Sequence, residues 1–148
     1  MKSLAGFLKP NKIEQANVFY AASKSFVDEK GEPLLWELKA ITSDQDAALR
    51  ASSYKTVAAT GKNGKPLKGQ TVKEFQAEQY TAKLAAACVV FPDLMNAELQ
   101  DSYQVKDAIS LLRAMLNHGE LSDLLIKTQE LCGFDAEMEE ELVEEAKN

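Results

Sequence analysis

Histidine occurs once, at His118, and cysteine twice, at Cys88 and Cys132. That scarcity closes most routes to catalysis. A side-chain nucleophile needs a base beside it, and a metal needs clustered His, Cys or carboxylate ligands. Two cysteines far apart in sequence offer no zinc spacing. Carboxylate pairs remain, such as Asp93 with Glu98 or Asp101, but acids are common on any amphipathic surface. The sequence therefore reads as a non-enzyme, with no catalytic residue, no metal site and no cofactor. Both cysteines sit in helical apolar patterns, which predicts buried thiols in a reducing cytoplasm. A disulfide between them stays open at this point. Long apolar runs are also missing: none approaches the roughly 18 residues of a membrane span. The start, MKSLAGFLKPN, has too short an apolar stretch for a signal peptide, and no cleavage site follows.

Basic charge is scarce overall and unevenly placed. The formal net charge is -6. Residues 1–70 carry 11 Lys and Arg against 7 Asp and Glu, whereas residues 71–148 carry 6 against 16. Such a balance argues against nucleic acid as a partner. With 148 residues, 45% of them apolar and 27% charged, the composition fits one globular domain. We place that domain at residues 1–134 and an acidic, partly ordered tail at 135–148.

The central stretch is Tyr80 to Tyr103. Ala77, Tyr80, Leu84, Ala87, Cys88 and Phe91 recur at helical steps, and after Lys83 the polar face vanishes. This predicts a helix entering the core and ending at Pro92. A short helix then follows, with Asn96 as its cap. Upstream, Val18–Val27 and Leu34–Ile41 carry strand patterns around a turn at Asp28–Pro33, which predicts a β-hairpin. Trp36 belongs to its core, or else serves as a partner hot spot. Thr42 with Gln45 forms a capping-box pattern that opens a helix. Residues 55–72 read as an exposed flexible loop or loose hairpin. Gly64-Lys65 invites comparison with a phosphate loop, but Ala59 and Pro66 stand where that motif needs Gly and Ser or Thr. Two apolar stripes, Val105–Leu116 and Leu121–Cys132, predict a helical hairpin around Asn117-His118-Gly119, with Gly133 as the closing cap. Residues 1–16 show no sustained period. They read as a frayed terminus, or as a docking segment that uses Phe7 and Leu8. The predicted class is α+β: an N-terminal β-hairpin packed on a mainly α-helical body.

KLAAACVVFPDLMNAELQDSY resembles a signature segment of the XkdN-like phage tail assembly chaperones, found in phages and prophage-like elements. ASKSFVDEKGEPLLWELKAITSDQDAALR upstream and LLRAMLNHGELSDLLIKTQELCGFD downstream resemble the same family in the same order. The resemblance implies a binding protein of the host cytoplasm. Its partner would be the tape measure protein, kept soluble while the tail tube polymerises, and the chaperone would be absent from the finished tail. A small stoichiometric adaptor or scaffold subunit is the alternative. A homo-oligomer is compatible with either. Leu94, Met95, Met115 and Leu116, with Phe7 and Leu8, are the expected partner contacts, since methionine-rich apolar surfaces adapt to varied partners. The resemblance also implies a longer product made by ribosomal slippage, whose added segment recruits the tail tube protein. Ala146-Lys147-Asn148 can be encoded on a slippery heptamer, so 148 residues would be the shorter product.

Overall fold

The computed structural model describes residues 2–134. The acidic tail at 135–148 lies outside the described residues. The fold is α+β, with the N-terminal hairpin packed on a mainly helical body.

Strands β1 (Val18–Tyr20) and β2 (Trp36–Leu38) pair antiparallel, Val18 opposite Leu38 and Tyr20 opposite Trp36. An isolated bridge, Val27 to Pro33, continues the hairpin beyond a gap. Its turn is held by Asp28, whose carboxylate accepts the backbone N–H groups of Lys30 at 2.8 Å and Glu32 at 3.0 Å. Trp36 and Leu38 point into the core, as period two requires. Helix α1 (Ser43–Ala51) opens on the expected capping box: Thr42 Oγ1 accepts the Gln45 N–H, and Gln45 Oε1 accepts the Thr42 N–H.

The lysine-rich stretch after α1 is more regular than the sequence suggested. It forms a long hairpin, β3 (Tyr54–Thr60) against β4 (Pro66–Phe75). Ala58 pairs with Thr71 but Thr60 pairs with Pro66, so β4 carries extra residues. Gly69, at φ 74°, lies among them in a conformation that side chains disfavour. The arm is exposed along most of its length. Only its root is anchored, where Tyr54, Phe75 and Tyr80 stack at centroid distances of 5.4 and 5.6 Å.

Helix α2 (Ala77–Cys88) is the central helix, with Tyr80, Leu84, Ala85 and Cys88 all fully buried. It ends earlier than expected. Val89–Phe91 is not its last turn but strand β5, paired with β2 through Glu37–Phe91 and Leu38–Val89. The reason is competition for hydrogen bonds. The free edge of β2 needs partners, which the extended, β-branched Val89-Val90 supplies, and Lys39 N–H donates to the Cys88 carbonyl at 2.8 Å. Pro92 already favours an extended Phe91. The resulting sheet has the order β1-β2-β5.

Helix α3 (Ala97–Ser102) is capped by Asn96, which accepts the Leu99 N–H at 2.9 Å, as its sequence predicts. Helices α4 (Ala108–Met115) and α5 (His118–Leu131) follow one another across a short turn, and α5 packs chiefly against α2 rather than against α4. The turn between them is tighter than Asn117-His118-Gly119 implied, because His118 and Gly119 already belong to α5. Asn117 makes a capping box with Glu120: its side chain accepts the Glu120 N–H at 2.8 Å, and the Glu120 carboxylate accepts the Asn117 N–H at 3.0 Å. Asn117→Ala should therefore cost about 1 kcal/mol. The expected fall in melting temperature is about 2–4 °C. An unchanged thermal melt would show that the cap carries no stability. Gly133 closes α5 at φ 88°, as predicted.

Two apolar clusters hold the body together. The larger gathers Trp36 and Leu38 of β2, Ala85 of α2, Leu94, Leu111, Leu112, Leu116 and Leu124. The smaller centres on Tyr80, Leu84 and Cys88, surrounded by Ile41, Leu49, Phe75, Cys132 and Phe134. A polar clasp joins α1 to α2 beside it. The Tyr80 hydroxyl donates to Asp46, whose carboxylate also pairs with Arg50 at 2.9 Å, and the Arg50 guanidinium lies 4.5 Å from the Tyr80 ring centre. Burial and the hydrogen bond to Asp46 push the Tyr80 phenol pKa upward, so it stays a donor.

Candidate partner-binding groove

An apolar groove of about 490 Å³ opens where the sheet meets α3 and α4. Three parts of the chain build it. The first hairpin supplies Phe26, Leu34, Leu35 and Trp36; the end of β5 supplies Phe91 and Pro92; the helices supply Leu99, Ser102, Tyr103 and Met115. Trp36 is buried, so it forms the floor, whereas Phe91 (62% exposed) and Leu35 (55%) stand at the rim. Leu34 is fixed by its N–H, which donates to the Phe26 carbonyl at 2.7 Å. The opposite wall is fixed by a hydrogen-bonded turn. Asp93 accepts the Met95 N–H at 3.0 Å, and the Gln100 amide donates to the Leu94 carbonyl at 2.8 Å. The Phe91–Pro92 peptide bond at the groove edge is cis.

The polar side-chain groups in this lining are the Trp36 indole N–H and the hydroxyls of Ser102 and Tyr103, and the Ser102 hydroxyl already donates to the Leu99 carbonyl at 2.8 Å. Such a surface can bury apolar side chains but has no charged group to move a proton. The candidate carboxylates Asp93, Glu98 and Asp101 are not brought into it as a pair. Asp93 is committed to its turn, and Glu98 and Asp101 are exposed on α3. His118 is exposed at the start of α5. Among the described residues, no group of three or more His, Cys, Asp or Glu could hold a metal ion. None of the described helices is long and apolar enough to cross a membrane.

The six residues expected to contact a partner fall into three environments. Met115 lines the groove. Phe7 (86% exposed), Leu8 and Met95 (70%) are exposed and do not line it, Phe7 and Leu8 lying on the 3₁₀ turns of the N-terminal segment. Leu94 and Leu116 are core residues, 4% and 5% exposed, and present no surface. Leu94 turns inward because the Asp93 and Asn96 turns reverse the chain around it. Leu116 is drawn in by the tight α4–α5 connection. Trp36 is core by burial, yet one side of it faces the groove. Sequence reasoning missed Phe26, Leu35, Phe91 and Tyr103. One signal was present: Leu34 and Leu35 are adjacent apolar residues in a period-two stretch, so one of them had to face away from the core.

Comparison with known proteins places this architecture. In solved structures, the chain is similar to the crystal structure of the protein YqbN, with a TM-score of 0.74 and 25% identity, covering 91% of this chain and 99% of that one. In sequence, it is 31% identical to the uncharacterized protein YqbN of Bacillus subtilis (strain 168). It is 29% identical to the phage-like element PBSX protein XkdN of the same strain. Each match covers 98% of this chain and 93% of the relative. The sequence model of the Phage XkdN-like tail assembly chaperone protein family matches residues 4–147. A match over nearly the whole length, on a fold whose conspicuous surface feature is an apolar groove without catalytic groups, means that the chain belongs to the XkdN-like phage tail assembly chaperones.

Proposed function

We propose that this chain binds the tape measure protein in the host cytoplasm and keeps it soluble until tail tube subunits assemble around it. The groove is the observation that carries this reading. It is apolar, open, and walled by Phe91, Leu35, Tyr103 and Met115. A long amphipathic helix awaiting its tube exposes a continuous apolar stripe, which aggregates unless covered. An apolar groove beside a sheet is suited to receive such a stripe in the helix-in-groove mode. Few fixed polar partners means little demand for one register, and Met115 adapts its shape. One chaperone could therefore serve many positions along a long helical partner. The chaperone leaves before the tail matures, and a longer product of the same gene would bring in the tail tube protein.

The test is co-expression with the tape measure protein. The soluble fraction of that protein should rise several-fold with the chaperone present, and purified tails should lack the chaperone. No gain in solubility, together with stoichiometric retention in purified tails, would instead establish an adaptor subunit.

A further inference from the structure

Cys88 ends α2, and Cys132 follows the last residue of α5. They are 44 positions apart in sequence, yet their Sγ atoms lie 3.6 Å apart. Both are free thiols; Cys88 is fully buried and Cys132 is half-buried. The groove uses neither of them.

We propose that Cys88 and Cys132 form a redox modification site, which closes to an intramolecular disulfide on exchange with a low-molecular-weight disulfide. The more accessible Cys132 thiolate attacks one sulfur of that disulfide. This forms a mixed disulfide and expels the first small thiol. The Cys88 thiol then gives up its proton to solvent, and its sulfur attacks Sγ of Cys132, expelling the second small thiol. In sum, two cysteine thiols and one small disulfide become one protein disulfide and two small thiols. The protein sulfurs are oxidised and the small disulfide is reduced.

The geometry sets both the order and the ease of these steps. A disulfide bond is about 2.05 Å long, so the sulfurs must approach by roughly 1.5 Å. Cys132 is the residue that caps the end of α5, packed against the Tyr80, Leu84 and Cys88 cluster, so its side chain already faces Cys88. Either sulfur can donate to the other across this contact; when Cys132 is the thiolate it accepts from the Cys88 thiol, and with the Ile41 backbone N–H this lowers the Cys132 pKa to about 6, against the effect of burial. The same contact, with burial, pushes Cys88 upward, so Cys88 is the resolving partner. The closed ring would span residues 88–132. It contains β5, α3 and α4, and therefore Phe91, Leu99, Tyr103 and Met115 of the groove wall. Closing it restricts the unfolded chain over this whole segment.

The experiment treats the full-length reduced chain with oxidised glutathione, blocks remaining thiols, and records the intact mass. The expected product has lost two hydrogens, carries no glutathione, and yields a peptide joining Cys88 to Cys132. Its melting temperature should rise by about 5–10 °C. Cys88→Ala should stop at a stable glutathione adduct on Cys132, and Cys132→Ala should leave Cys88 unmodified while folded. Wild-type chain that accumulates glutathione without the cross-link, or that does not react until denatured, would overturn the proposal. The wild-type measurement stands even if a variant fails to fold.

Discussion

Leu84→Asp should leave the chain largely unfolded in water at 25 °C. Leu84 is 0% exposed and sits where α1, the root of the β3–β4 arm, α2 and the end of α5 converge. Removing its side chain costs about 2–5 kcal/mol through lost contacts and the cavity left behind. An aspartate there adds the cost of a buried carboxylate without a cation, several kcal/mol more, unless it takes up a proton. A domain of this size is stable by only about 5–15 kcal/mol, so the combined loss is of the same order as the whole. The contrasting substitution is Lys65→Ala at the exposed tip of the arm, expected to stay within about 0.5 kcal/mol. Urea unfolding followed by circular dichroism compares the two. If both variants unfold at the same urea concentration as wild type, the smaller cluster does not hold the fold.

Phe91→Glu should remove partner solubilisation while leaving the chaperone folded. Phe91 stands at the groove rim on an edge strand, and most of its surface is already in water. Its replacement therefore creates no cavity and buries no charge in the free chain. In a complex the same side chain would lie against an apolar helix, and a large aromatic side chain that is covered on binding and acts as a hot spot is worth about 2 kcal/mol or more. That corresponds to a loss of at least about 30-fold in affinity. The readouts are the soluble fraction of co-expressed tape measure protein and the melting temperature of the variant alone. Met95→Glu provides a second position, exposed but outside the groove. If Met95→Glu abolishes solubilisation and Phe91→Glu does not, the binding face is the turn before α3 and the groove reading fails. A fall in melting temperature for Phe91→Glu comparable to that of a core variant would mean that its role is structural.

Much of this was legible in the amino-acid order because the forces concerned are local. The alternation around Trp36, the Thr42–Gln45 capping box, the Asn96 cap and the glycine at 133 each depend on residues within a few positions of one another. Steric limits and nearby hydrogen bonds decide them before the rest of the chain folds. The central helix was legible for the same reason, since its apolar face needs only the helical period. The ordered segments from Ala21 onward carried the resemblance to the family whose sequence model matches residues 4–147.

Other features depended on partners distant in sequence. Val89–Phe91 has the composition to extend α2, and it became a strand because the edge of β2, some 50 positions earlier by the Glu37–Phe91 pairing, offered unpaired backbone groups. Leu94 and Leu116 stood among the expected partner contacts, and the structure buries both, next to the turns at Asp93 and Asn117. The groove joins residues 26 to 115, so no single periodic stretch encodes it. The contact between Cys88 and Cys132 likewise exists only because α2 and α5 end at the same place. Local propensity and period are properties of short windows, and these the sequence determined by itself. Burial, edge pairing and the meeting of distant side chains depend on which surfaces remain after the elements pack, and these only the tertiary structure decided.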